Sequence, residues 1–593
     1  MVSDPSSKAY LEIKGPITVL PGTAFGLKQA TLVVKLAARI TPSADFAALD
    51  AAMQALLAAD PIAPVTGDAL ADLIARLACW YQQIHRGLRI PLFPESWWQR
   101  QTHSEPPHEV VAALALPYIQ PDPDSKAIAT LVSITNRFLD TGEMVDEARA
   151  QIAAVRTLLS SALAGGINGH HFLKAAFDLD IPVIHNRLSD TVRFGMGSKS
   201  RLLKSSCTDV TPHIGVAIAK TKVGTGELLA MRGLPVPPRW LVGDARGART
   251  AAEALGYPVV VKPDGRDRGE GVAAHLTNHV DLDQAYRVAR SLSERVLVEK
   301  HLCGEDLRVT VFNGRVVKIM ARRPPGVTGD GIRSIAQLVD AERSSAETAR
   351  RSVDRQFRPL QIDDEASGLL RDAGLTADTV LAADRFIALR RRGNVCSGGS
   401  QRIVDMDDVH PDNLELAVRA ARCLLLDLAG VDIMLPDPSR SWLEGGAFIL
   451  EVNAIPQIGS EGSPEIYRDI LAALLPDGGR IPVYVLLVAD EKAEEEFVLS
   501  TAASRGCNGV ATSTALWVDG RRLGVTFQNA FVAALAVLSE PDVHAALIAM
   551  SPADVIRFGI PGGRPTGVIE ACGEPPALSP DDVLVAKQML GEC

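Results

Sequence analysis

The stretch from Lys262 to Asn453 constrains this chain most. It opens with VVVKPDGRDRGEGV (259–272), an apolar run that ends in a lysine and passes at once into a glycine-rich turn. It closes with GVDIML (430–435) and FILEVN (448–453), two apolar runs of strand length that carry Asp432, Glu451 and Asn453. A carboxylate within an apolar strand is costly to bury unless it binds a metal or finds a partner. Two carboxylates and an amide oxygen on neighbouring strands suit Mg²⁺, a hard cation that takes oxygen ligands. A lysine beside a flexible glycine loop suits nucleotide phosphates. The segment therefore predicts a site for a metal–nucleotide complex, with ATP as the nucleotide and Mg²⁺, or Mn²⁺ in its place, as the ion.

With 593 residues, several domains are expected. The chain is 47% hydrophobic, enough for buried cores, and its formal net charge of −10 argues against nucleic acid as a partner. No apolar run approaches the length of about 18–20 residues that a membrane helix needs, and MVSDPSSKAY lacks the apolar region of a signal peptide. Cys79, Cys207, Cys303, Cys396, Cys423, Cys507, Cys572 and Cys593 are scattered without a CxxC pair, which fits a reduced, cytoplasmic setting rather than a disulfide or thiolate–metal framework.

Along the chain, LEIKGPITVL (11–20) has strand character, while 46–60, 69–87 and 134–165 show helical spacing of apolar residues. Trp97 and Trp98 are expected to pack rather than bind a ligand. Residues 333–385 interrupt the strand pattern with a charged, helical insertion, and 379–392 return to strand pattern.

Further segments carry a family likeness: GMGSKSRLLKSSCTD (195–209), LLAMRGLPVPPRWLV (228–242), RVLVEKHLCGEDLRVTVFNGRVV (295–317), RRPPGVTGDGIRSIAQLV (322–339), RRGNVCSGGS (391–400) and VHPDNLELA (409–417). In their order, and with the runs above, they resemble the ATP-grasp ligases, and most of all the ATP-grasp part of cyanophycin synthetases. The resemblance implies a multidomain α/β chain. Residues 1–165 would form an N-terminal α/β domain and 166–477 an ATP-grasp domain. Residues 478–593 would form a truncated, degenerate Mur-ligase-like α/β domain. In that tail Lys492 stands at the P-loop lysine position, but Val488 and Glu491 replace glycines, and Ala493 and Glu494 follow. Side chains there block the approach of phosphate, so no second ATP site is expected.

The resemblance also implies an activity: ATP activates a carboxylate as an acyl phosphate, and an amine attacks it to give an amide. On that likeness Lys262 contacts the phosphates, as does Lys222, with Lys220 left as its rival. Gly265, Gly269 and Gly271 form the mobile loop, where Arg266 and Arg268 are further phosphate candidates. Glu299 meets the adenine amine beside the backbone of Lys300 and Leu302, and Asp306 meets the ribose. Asp432, Glu451 and Asn453 hold the metal. Arg308, Arg323, Arg391, Asn394, Ser397, Gly398 and Gly399 surround the acyl phosphate, where backbone N–H groups and guanidiniums can bind an anionic oxygen. Cys396 needs no nucleophilic role. His170 and His171 fall where the cyanophycin enzymes carry a small-residue turn, and packing is their expected role. Ala217 and Thr221 replace acids in the segment 216–222, a departure that weighs against polymer extension. The expected substrates are an amino-acid or peptide carboxylate and an amine, and the expected assembly is a homodimer or higher homo-oligomer. A dedicated single-bond ligase leads; a cyanophycin synthetase of the shorter, dipeptide-joining type and a non-catalytic ATP-binding module are the rivals.

Overall fold

A computed structural model describes residues 9–39, 46–58, 60, 68–101, 110–144, 146–160, 166–186, 189–266, 270–345, 348, 359–390, 399–459, 463, 465–489, 495–523, 527–571 and 579–591. The chain is a mixed α/β protein and divides into two compact units, one of residues 1–205 with 467–593, the other of 206–466.

The first unit contains two principal sheets. The N-terminal sheet is antiparallel, in the order Tyr10–Ile13, Thr31–Arg39, Val110–Pro117 and Trp97–Gln101, with Thr18–Leu20 also paired to Thr31–Arg39. Helices Phe46–Leu57, Ala69–Gly87, Pro121–Thr141 and Asp146–Leu159 share its core. The helical pattern read over 134–165 is broken: Gly142, at φ +73°, ends one helix and a second begins at Asp146. Trp97 stacks on Phe25, with ring centroids 4.2 Å apart, and Trp98 packs on the N-terminal core. His171 stacks on Tyr467 and His170 lies near Phe93, with burial lowering the His170 pKa to about 4.

The tail sheet has the order Arg521–Leu523, Leu516–Val518, Gly509–Ala511, Ala546–Met550, Val483–Leu487 and Gly567–Glu570. Its last four strands run parallel. Ala546–Met550 is apolar and buried along its whole length, as a strand covered on both faces should be. Lys492 and its neighbours 490–494 lie outside the described residues.

The second unit is antiparallel throughout. One sheet has the order Arg239–Val242, Val296–Lys300, Val259–Pro263 and Ala273–Leu276, and helices Ala245–Leu255 and His279–Leu292 pack on it. The other has the order Ser400–Ile403, Arg315–Arg323, Glu305–Phe312, Leu428–Leu435 and Phe448–Asn453, backed by helix Pro411–Cys423. The insertion forms a satellite with its own apolar cluster, made from helices Ile335–Arg343 and Asp364–Asp372 and the strand pair Gly326–Thr328 and Phe386–Ala388. Only 386–388 of the strand expected over 379–392 forms, and 391–392 lie outside the described residues. Among the described residues no helix is long and apolar enough to cross a membrane.

Candidate active site

Strand register assembles the charged centre of the second unit. Arg322 is the cross-strand partner of Asp306, Arg308 of Asp432, Asp432 of Glu451, and Gly430 of Asn453. Side chains alternate between faces along a strand, so these pairings bring the acids and guanidiniums onto one face. Asp432, only 4% exposed, is held by three guanidinium contacts: Arg308 Nε lies 2.9 Å from Oδ1, Arg322 Nη2 donates to Oδ1 at 3.2 Å and Arg322 Nη1 to Oδ2 at 3.1 Å. Arg308 Nη1 also reaches the Gly430 carbonyl at 3.4 Å. A Cβ built on Gly430 would lie 2.5 Å from that Nη1 and 2.9 Å from Pro456 Cβ, so the glycine makes room for the arginine.

Asp306 lies 3.8 Å from Arg322 and its Oδ1 is buried with no hydrogen-bond partner. Burial, with the neighbouring Asp432 charge, pushes its carboxyl up to about 6. Burial also raises the Glu451 pKa; Lys222 opposes the rise and Asp432 adds to it. Lys222 Nζ stands 3.9 Å from Glu451 Oε1 and donates to the Arg266 carbonyl at 2.7 Å. Lys220 caps the preceding helix and is exposed, so it is Lys222 that the fold brings to the acids. Asn453 Nδ2 donates to the Gly430 carbonyl at 3.3 Å, which leaves its amide oxygen as the group turned to other use.

Lys262 and Glu299 sit diagonally across paired strands, because Val260 opposes Glu299. Their side chains meet at 2.5 Å, with Arg239 3.8 Å from the 3%-exposed glutamate. Gly265 and Gly271 adopt φ +73° and +68°, a region that favours glycine, while Gly269 and Arg268 lie outside the described residues. Arg266 donates to the Leu292 carbonyl. Asp264 anchors the turn: its Oδ1 accepts from the backbone N–H of Lys222 at 2.8 Å, and Arg295 lies 3.2 Å from its Oδ2. The N–H groups of Lys300 and His301 are spent on the carbonyls of Pro238 and Pro258, and Lys300 Nζ donates to the Gly256 carbonyl at 2.7 Å. The Leu302 N–H makes no backbone bond among those of the described residues.

Arg323 does not join this cluster: its guanidinium lies over the Phe386 ring, 4.6 Å from the centroid. Its neighbour Arg322, absent from the sequence reading, does. The missed signal was parity, since Lys318, Met320 and Arg322 share one face and Lys318 is 3% exposed, its Nζ donating to the Ile458 carbonyl at 3.1 Å. Gly399 is buried; Arg391, Asn394, Cys396, Ser397 and Gly398 lie outside the described residues.

Residues 228–326 match the family model described as D-ala D-ala ligase C-terminus, a span that includes Lys262, Glu299, Asp306, Arg308 and Arg322 and stops short of Asp432. Cyanophycin synthetase of Geminocystis herdmanii is 27% identical over 467 residues, covering 75% of this chain and 52% of that protein. The glutathione biosynthesis bifunctional protein GshAB of Desulfotalea psychrophila is 28% identical over 283 residues, 46% of this chain and 35% of that one. A bifunctional glutathione synthetase structure from Pasteurella multocida aligns over 75% of this chain and 82% of its own, at 15% identity and a TM-score of 0.40. The chain spans about half the length of the cyanophycin synthetases it matches. The chain is thus similar to cyanophycin synthetases over most of its length, and to the D-ala D-ala ligase C-terminus over residues 228–326.

Proposed function

We propose that this chain is an ATP-dependent carboxylate–amine ligase that works through an acyl phosphate and joins amino acids or a small peptide. One observation carries the reading: Lys222 and Lys262, from the turn-and-helix side, share a charged cluster with Asp306, Asp432 and Glu451 from the five-stranded sheet. Lysines facing acids across a glycine turn suit a phosphate chain bound with a divalent cation. Among the described residues no three His, Cys, Asp or Glu side chains form a metal cage. A hard cation with few protein ligands fits this donor set: Asp432, Glu451 and the Asn453 oxygen would hold it, with phosphate oxygens completing its shell. Burial and mutual repulsion that raise the Glu451 pKa are the strain a bound cation relieves. When bound, the ion would neutralise charge on the phosphates, as Mg²⁺ does in phosphoryl transfer.

The remaining roles follow from which groups are already engaged. Lys262 holds phosphate, and Glu299, bonded to it at 2.5 Å, aims its ammonium. The hinge amide left for the adenine ring is that of Leu302, since the N–H groups of Lys300 and His301 are spent. Asp306, with its unpartnered oxygen, takes the ribose hydroxyls. Arg308 orients Asp432 and stabilises charge developing on the acyl phosphate. The segment 394–399 would supply backbone N–H groups to the same oxygen, Gly265, Gly269 and Gly271 would let the backbone approach the phosphates, and Arg391 would bind the donor carboxylate. A homodimeric, cytoplasmic enzyme completes the reading; light scattering that gives a monomer at micromolar concentration would remove the dimer.

The test is phosphate release from Mg²⁺–ATP across a matrix of amino acids and dipeptides, singly and in pairs. Release that requires one specific pair is expected, and mass spectrometry should show one product rather than a ladder. A ladder would identify a polymerase. Nucleotide binding without release from any pair would overturn the ligase.

A further inference from the structure

Arg322 holds the carboxylate that a cation would need. Both oxygens of Asp432 accept from its guanidinium, at 3.1 and 3.2 Å, in the bidentate geometry that makes arginine–carboxylate pairs strong. Arg308 also binds Asp432, but its Nη1 is tied to the Gly430 carbonyl and it sits on the adjacent strand, directly opposite in register. Arg322 reaches Asp432 from one strand further away, because its own cross-strand partner is Asp306. Asp306 is the unfinished member of the group: its Oδ1 is buried without a hydrogen-bond partner, and its Oδ2 lies 3.8 Å from Arg322 Nη1. A short swing of one side chain would exchange a pair on Asp432 for a pair on Asp306.

We propose that Arg322 is a built-in competitor for the divalent cation, seated on Asp432 before a cation binds and transferred to Asp306 when a cation is bound there. This rests on the ligase reading only in taking Asp432 and Glu451 as the cation's carboxylates. Charge balance gives the exchange its purpose. Asp306, Asp432 and Glu451 lie among Lys222, Lys262, Arg308 and Arg322, so the cluster is already compensated by its own side chains and discourages a cation arriving without its nucleotide. Arg322, released from Asp432, keeps its positive charge within the cluster, to which the phosphates of an incoming nucleotide add negative charge. The exchange thereby makes cation and nucleotide binding mutually favourable.

The experiment is titration of the full chain with Mn²⁺, followed by electron paramagnetic resonance, with and without a non-hydrolysable ATP analogue. Without nucleotide, Arg322→Met is expected to bind Mn²⁺ about 10-fold more tightly than the parent chain, the scale on which groups around metal ligands act. The gain should shrink when the analogue is present. Arg322→Lys, which keeps the charge but loses the fork, should fall between them and serves if the methionine variant does not fold. Asp306→Asn, which removes the second seat, should weaken Mn²⁺ binding relative to the parent. Equal or weaker Mn²⁺ binding by both Arg322 variants overturns the exchange. Asp432→Asn separates the two failures: if Mn²⁺ binding with the analogue survives that change, the metal assignment itself is wrong.

Discussion

Asp124 in the N-terminal region and Asp432 in the second unit are both buried acids held by side-chain partners, yet they are furnished differently. Asp124 has every need met. Its Oδ1 accepts from the Tyr81 hydroxyl at 2.8 Å and meets His85 Nε2 at 2.5 Å, and its Oδ2 accepts from the N–H groups of Ile119 and Gln120 at 2.9 and 2.7 Å. The other His85 nitrogen meets the Tyr81 carbonyl at 2.8 Å. That network pins helices Ala69–Gly87 and Pro121–Thr141 to the end of a strand, and nothing in it is left for a ligand. Around Asp432 two arginines crowd one acid, a neighbouring acid keeps an orphaned oxygen, and burial holds two carboxyls above their usual range. A satisfied network rigidifies a fold; an unfinished one marks where something else is meant to bind.

The comparison breaks most sharply on stability. Asp124→Ala strands a buried histidine, a buried tyrosine and two backbone N–H groups, and is expected to cost about 3–5 kcal/mol, at about 1–3 kcal/mol for each group left unsatisfied, read by urea denaturation of the full chain. A loss under about 1 kcal/mol would show that the network is dispensable. Glu451→Gln should do the reverse. Turnover should fall about 10²–10³-fold while the melting temperature holds or rises, since a burdened carboxylate has been removed. A melting loss matching that of Asp124→Ala would place Glu451 in the framework instead.

A third test uses pH. The native Asp306 carboxyl is raised from 3.8 to about 6, so the folded state binds its proton more tightly than the unfolded state. Its contribution to stability is therefore fully present below about pH 4 and is lost as pH rises to about 6, by at most about 3 kcal/mol. Asp306→Asn should flatten that fall, seen as a smaller difference between melts at pH 4 and pH 6; an unchanged slope would contradict the strain read at this residue. The smallest effect is expected where neither kind of network exists. Ser334 caps the satellite helix Ile335–Arg343 in a reciprocal capping box with Gln337, and Ser334→Ala should cost about 1 kcal/mol, confined to that satellite in hydrogen exchange.

Much of this was legible in the linear chain because it depends on short-range pattern. Acids within apolar strands mark Asp432 and Glu451, and a lysine before a glycine turn marks Lys262. The helix over 69–87 begins after Asp68, which accepts from the N–H of Leu70 and Ala71. What the chain did not disclose depends on pairing register. Arg322 and Arg323 are adjacent and chemically identical, and only the alignment of strand 315–323 with 305–312 decides which one faces Asp432. The same holds for Glu299, whose partner Lys262 lies far away in sequence and becomes diagonal to it only through the pairing of Val260 with Glu299. Asp264 looks like an ordinary turn residue until the fold brings the start of helix Lys222–Met231 onto its carboxylate.

Gly430 carries a consequence for anyone who would retune this protein. The space it leaves beside Pro456 is the berth of the Arg308 guanidinium, and a single methyl group would contest it. An alanine there adds no charge and removes none, yet it would push one cation off Asp432 and shift the ionic balance of the whole cluster. The electrostatic character of the site is therefore under steric control, adjustable from a position that holds no ionisable group.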